Sequence, residues 1–121
     1  MNRFTIQGRL DGLNEYTNAN RTNRFAGAKM KERNEKLVLQ GIRATKLVAP
    51  TKYPIKLKIT WYEPNSRRDV DNVTFATKFI QDTLVKSGVL QDDSQKFINS
   101  VEHEVKVDKN NPRIEVELLE E

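Results

Sequence analysis

The sequence predicts an α+β fold: one small domain over residues 1–121, with a mixed β-sheet and two main helices in the order β-α-β-α-β-β. Three observations predict it. A chain of 121 residues has the length of one domain and hardly two. Several stretches alternate apolar and polar residues, the period of half-buried strands. Between them, two stretches repeat apolar residues every three or four positions, the period of amphipathic helices.

The elements follow in order. Residues 2–8 set Phe4 and Ile6 between polar neighbours, a first strand. Residues 9–25 are rich in Asn, Arg and Thr and predict a long polar loop of the kind that carries function in small domains. Residues 26–47 predict a helix, with Ala26, Met30, Leu37, Gly41 and Ala44 on one stripe and Lys29, Lys31, Arg33 and Lys36 mostly off it. Pro50 marks a break. Residues 54–62 alternate strictly: Ile55, Leu57, Ile59 and Trp61 face one way, Lys56, Lys58, Thr60 and Tyr62 the other. A turn at 63–68 leads to a second helix over 71–86, with Val73, Ala76, Ile80 and Leu84 inward and Gly88 just past its end. Residues 98–107 alternate again through Val101, His103, Val105 and Val107. After the turn residues Asn110, Asn111 and Pro112, Ile114, Val116 and Leu118 give a last strand, so 98–118 predicts a hairpin.

Composition narrows the chemistry. Hydrophobic residues are 36% and charged residues 31%, the balance of a globular domain and not of a disordered chain. The apolar runs are too short to span a membrane, and MNRFTIQGRL lacks the apolar core of a secretory signal, so a cytoplasmic location is expected. With no cysteine and one histidine, Cys/His zinc sites, disulfides and thiol nucleophiles are excluded. The five glycines form neither GxxxxGK nor GxGxxG, which argues against a nucleotide cofactor. Any metal must be held by carboxylates, which favours magnesium or manganese. The net charge of +4 is uneven: residues 1–50 carry ten basic and four acidic residues, residues 51–121 eleven and thirteen. A basic half joined to an acidic one suits a nucleic-acid enzyme, with phosphates held by one part and metal by the other.

The most informative segment is Arg67-Arg68-Asp69-Val70-Asp71-Asn72. Asp69 and Asp71, at i and i+2 between a strand and a helix, would point to one side in extended backbone and could share a hard cation. Asp71 is also placed to be the N-cap of the helix, and paired aspartates before a helix are in most proteins caps and dipole partners. A second acidic cluster, Asp92-Asp93, lies beyond the far end of that helix. The clusters meet only if the chain after Gly88 folds back or a second subunit supplies one of them. Lys78 follows Asp71 by seven residues, almost two turns, and so shares its face about 10 Å away. His103, flanked on its face by Val101 and Val105, is expected to be a satisfied, half-buried side chain and not a general base.

At these residues the sequence resembles the RusA family of Holliday-junction resolvases, common in phages and prophages. The resemblance rests on RRDVDN at 67–72, VTFATKFIQDTLVKSGVL at 73–90 and DDSQ at 92–95, with GLNEY at 12–16 and AGAKMK at 26–31 similar in style. It implies a crossover junction endodeoxyribonuclease acting in DNA recombination and repair, with Asp69, Asp71 and Asp93 as metal-binding aspartates, Asp92 assisting and Lys78 as the catalytic helix lysine. In the founding branch of the family that lysine falls four residues after the second aspartate; here it falls seven after. The resemblance further implies a Mg2+ cofactor, with Mn2+ as the alternative, and a homodimer acting on branched DNA. Arg67 and Arg68, with Arg21, Arg24, Lys29 and Lys31, would hold the DNA backbone. The competing reading is a non-catalytic phage DNA-binding or recombination accessory protein, in which the aspartates cap a helix.

Overall fold

The computed structural model describes residues 2–120. Its elements are β1 (Arg3–Gln7), α1 (Leu13–Thr22), α2 (Arg24–Ala44), β2 (Ile55–Glu63), α3 (Val70–Thr74), α4 (Thr77–Lys86), β3 (Ile98–Val107) and β4 (Arg113–Glu120). The strands form one mixed sheet in the order β1-β4-β2-β3. This is the expected α+β order, with a pair of helices at each helical place.

β2 sits inside the sheet because it is the most regularly alternating strand and can bury one face while both its edges are hydrogen-bonded. Ile55, Leu57, Ile59 and Trp61 are all at most 1% exposed. β4 runs antiparallel to β2, pairing Leu118 with Leu57, Val116 with Ile59 and Ile114 with Trp61. β3 runs parallel to β2 on its other side. The expected 98–118 hairpin is therefore not formed: β2 lies between its two arms. Strands flanking a common neighbour are about 10 Å apart, which the connection after Val107 crosses while Asp108 N–H donates to the Glu63 carbonyl at 2.8 Å. The turn chemistry of Asn110, Asn111 and Pro112 set a reversal of direction but not adjacency.

The expected loop over 9–25 is mostly helix. α1 has no fully buried residue, which hides it from a hydrophobic-periodicity reading. It is held by Tyr16, whose ring meets Phe75 at 5.3 Å and Phe79 at 6.0 Å. α1 and α2 form an antiparallel hairpin. Asn20 packs so close to Gly27 that a Cβ there would stand 1.9 Å from its Oδ1. At the other end Asp11 accepts from Asn34 Nδ2 at 2.7 Å and from Arg33 at 2.8 Å.

The buried face of α2 is Gly27, Asn34, Val38, Gly41 and Ile42. Of the expected stripe only Gly41 is fully buried; Ala26, Met30 and Leu37 are half-buried and Ala44 is exposed. Gly41 lets α2 cross β1, since a Cβ there would meet the Thr5 carbonyl oxygen at 2.5 Å. The helix expected over 71–86 is broken into α3 and α4 around Phe75 and Ala76, yet its inward stripe is as expected: Val73, Ala76, Ile80 and Leu84 are all at most 1% exposed. Gly88 takes φ +83° just after the Ser87 C-cap, the left-handed residue that ends many helices. His103 is exposed as a residue but satisfied, accepting from the Trp61 indole N–H at 3.1 Å.

Candidate active site and nucleic-acid interface

β2 delivers the chain to a turn whose exit is the first turn of α3. Asp69 is the N-cap of α3, in extended backbone (φ −66°, ψ 157°), and its side chain makes no capping hydrogen bond. Asp71 lies in the first helical turn, where its Oδ1 accepts from the Asn72 N–H at 3.0 Å. The cap is thus Asp69 and not Asp71. Only Asp69 stands on extended backbone, so the same-side argument for i and i+2 in a strand does not hold. Both side chains are exposed.

What sets these carboxylates apart is their lack of counter-ions. Among the described residues, neither Asp69, Asp71, Asp92 nor Asp93 has a basic side chain at ion-pairing distance. Every other described acidic residue except Glu120 is paired with Lys or Arg. Glu120 accepts instead from the Thr51 N–H at 2.8 Å. In a chain of net charge +4, four unpaired carboxylates in two short segments leave an unspent demand for positive charge.

The two acidic segments do not converge within one chain. Asp93 shares a surface hollow with Lys31, Asp82, Val85 and Lys86, along the flank of α4. The segment after Gly88 therefore brings Asp93 beside the last turns of α4. Among the described residues no group of three Asp, Glu or His side chains could hold a metal ion. The donors fit a hard cation in kind; their spacing in a single chain does not fit one.

The basic residues divide into committed and free. Arg68 is committed: its Nε and one terminal nitrogen clasp Glu63 at 2.9 and 2.8 Å, and the other donates to the Leu10 carbonyl at 3.1 Å and to Glu15 at 3.2 Å. The expectation that Arg68 grips DNA gives way to this: a guanidinium whose side chain is 13% exposed and spent on two carboxylates holds protein together. Lys31 is likewise paired, with Asp82 at 3.3 Å and Glu35 at 3.7 Å, and its bond to Asp82 leads the causes that hold its pKa above the ordinary lysine value. Lys78 extends from α4 with 66% of its side chain exposed and reaches Asp82 at 3.8 Å, a surface pair of little energetic weight. Arg67, Arg21 and Lys29 are exposed and form no ion pair among the described residues, and Arg24 lies over the Phe25 ring at 5.2 Å.

Sequence reasoning missed the residues that hold the turn in place. Glu63 is 4% exposed at the end of β2 and takes a second cation, Arg9, at 2.9 Å. Burial raises the pKa of its carboxyl, but the bonds from Arg68 and Arg9 outweigh that and leave it below the ordinary glutamate value. Asn72 is buried, and its Oδ1 accepts from the Asn14 N–H at 3.0 Å, tying α1 to α3. Gly12 makes that approach possible, since a Cβ there would stand 2.6 Å from Asn72 Oδ1. Glu63 continues the inward alternation of β2, which was the available signal; the Asn72 and Gly12 contact spans sixty positions and leaves none.

Asp69 and Asp71 stand without counter-ions among the described residues at the entry to α3, and the exposed Arg21, Arg24 and Lys29 stand on the α1–α2 hairpin. The chain belongs to the RusA family: the family model described as endodeoxyribonuclease RusA matches residues 13–119, from α1 into β4. It is thus a member of a family of DNA endonucleases. No individual curated protein matches it.

Proposed function

We propose that this chain is a magnesium-dependent endodeoxyribonuclease, with manganese as the alternative ion, that resolves Holliday junctions and related branched DNA as a homodimer in recombination and repair. The observation that carries this reading is the set of four aspartates without counter-ions in a RusA-family domain whose other described carboxylates are nearly all paired. Asp69, Asp71 and Asp93 are the metal-binding residues in this reading, and Asp92 assists.

In this reading the third carboxylate comes from the second subunit, which is supported by the lack of a three-carboxylate group among the described residues of one chain. A two-fold dimer then carries two such composite sites, matching a junction of similar symmetry and allowing paired cuts. Arg67, Arg21, Arg24 and Lys29 hold phosphates, so affinity falls steeply with salt. Lys78, exposed and weakly paired, stabilises charge on the scissile phosphate. Arg68 and Lys31 act behind this surface, fixing the backbone that carries it.

The test is incubation of the protein with a labelled four-way junction, with and without magnesium, beside Asp71→Asn. Paired, metal-dependent cuts near the crossover, absent in the variant, are expected, with junction binding by the variant intact or stronger because a negative charge beside phosphate is removed. Tight binding without cleavage in either metal would take the aspartates out of a metal role and favour a DNA-binding accessory protein.

A further inference from the structure

The α1–α2 hairpin ends in an exposed tip. Residues 20–25, Asn-Arg-Thr-Asn-Arg-Phe, are all exposed. The linker is the single residue Asn23, extended at φ −171°, whose side chain caps α2 by accepting from the Ala26 N–H at 2.8 Å. The tip is therefore well formed. The hairpin is fastened along its length by Asn20 against Gly27 and at its base by Asp11 on Arg33 and Asn34.

At this tip stands Phe25, 64% exposed, the most exposed large hydrophobic side chain among the described residues. Its surroundings are Arg24, whose guanidinium lies 5.2 Å from the ring centroid, Arg21 in the last turn of α1, and Lys29 one turn further along α2. An exposed aromatic with an arginine over its ring, on a tip whose sequence is basic and amide-rich, is poorly suited to a protein partner, which would bury an apolar cluster. It is well suited to nucleic acid, where the cations meet phosphates and the ring meets a base face.

We infer that Phe25 is a stacking residue for an unpaired or splayed base at the branch point of DNA, with Arg21 and Arg24 holding the flanking phosphates. This deepens the proposed function and rests on it. Duplex DNA offers the ring no base face, whereas a branch point does, so the residue contributes to preference for branched DNA more than to affinity for DNA as such. The geometry allows one DNA to touch both places. The hairpin tip lies about 15 Å along α1 from its first turn, which is tied to Asn72 beside Asp71. That is roughly four phosphate spacings along one strand.

The test is the dissociation constant for a four-way junction and for a linear duplex of the same sequence, without divalent metal, over a series of salt concentrations. Phe25→Ala is expected to weaken junction binding about tenfold, to leave duplex binding within about twofold, and to keep the salt slope. Phe25→Trp is expected to retain junction binding. Arg24→Ala is expected to weaken both ligands and flatten the slope. Phe25 is exposed, so the variants are expected to match the parent in circular dichroism and melting temperature. Equal junction affinity for Phe25→Ala and the parent overturns the inference, as does equal loss on both ligands. A fall from dimer to monomer in Phe25→Ala would show that the ring meets a second copy of the chain and also overturn it. If the parent itself does not prefer the junction to the duplex, the proposed function fails at its substrate, a result visible before any variant is made.

Discussion

The Arg68 guanidinium clasps the Glu63 carboxylate through two hydrogen bonds of 2.9 and 2.8 Å, joining the last residue of β2 to the residue before Asp69. The same guanidinium reaches Leu10 and Glu15. One side chain thereby sets the spacing of β2, α1 and the carboxylate turn. Asp69 and Asp71 are exposed and make no stabilising pair of their own, so their placement is inherited from these neighbours.

Arg68→Lys is expected to lose the two-point clasp, since an ammonium cannot match a carboxylate in that geometry. Glu63→Gln leaves the Arg68 guanidinium with only the half-buried Glu15 as a charge partner. Breaking a buried pair from one side costs about 3–5 kcal/mol, so urea unfolding should show a loss of that order for Arg68→Ala and a smaller one for Arg68→Lys. Loss of cleavage should exceed loss of junction affinity in Arg68→Lys. A variant as stable as the parent but weaker in junction binding would return Arg68 to the DNA-contacting group.

The same pair sets a response to acid. Burial pushes Glu63 up and the bonds from Arg68 and Arg9 push it further down, so its folded pKa lies below the unfolded value. A depressed carboxylate contributes stability in full above its unfolded pKa and loses it as pH falls through the folded one. Melting temperature should therefore drop as pH is lowered from the ordinary glutamate range, near 4.3, and Glu63→Gln should flatten that part of the curve. An unchanged acid limb in the variant would exclude Glu63 as its source.

Gly12 should not tolerate a side chain. A Cβ there would meet the Asn72 side-chain oxygen at 2.6 Å and its backbone oxygen at 2.8 Å, and the second is not a flexible end that can move aside. Gly12→Ala is expected to lower stability by about 1–3 kcal/mol and, by displacing α1 from α3, to lower cleavage more than Ala substitution at exposed Asn18. Equal stability of Gly12→Ala and the parent, read by denaturant titration, would mean that α1 is free to shift.

If each metal site draws Asp71 from one subunit and Asp93 from the other, two inactive variants should rescue each other. Mixing Asp71→Asn with Asp93→Asn gives a mixed dimer in which one composite site has both carboxylates and the other has neither. Cleavage should reappear on mixing, as single-strand nicks and not as paired cuts. Mixtures as inactive as their components would place all three aspartates of a site in one chain, brought together by movement of the segment after Gly88.

Lys78→Ala should reduce the rate of cleavage by tenfold or more while changing junction affinity by less than about threefold, as expected for a group acting on charge that develops in the reaction. A pure loss of affinity would make Lys78 a phosphate grip.

The fold class, the element order and the inward stripes of β2 and of the α3–α4 segment were legible in the sequence, because burial of one face imposes a period of two or of 3.6 that can be read locally. The candidate aspartates were legible for a related reason: Asp69, Asp71, Asp92 and Asp93 form two short clusters of one residue type, and the family match over 13–119 agrees with the resemblance they carry. Local periodicity could not say which strands are neighbours, so β2 between β3 and β4 replaced a hairpin. It could not find α1 either, whose attachment is one tyrosine on two phenylalanines and a few polar contacts, not an apolar stripe. Only the tertiary structure decided which cations are free: Arg67 and Arg68 are adjacent and chemically alike, yet one is exposed and the other is locked to Glu63. The physical reason is that a charge is defined by what stands within a few ångströms of it, and those neighbours come from positions far away in the chain.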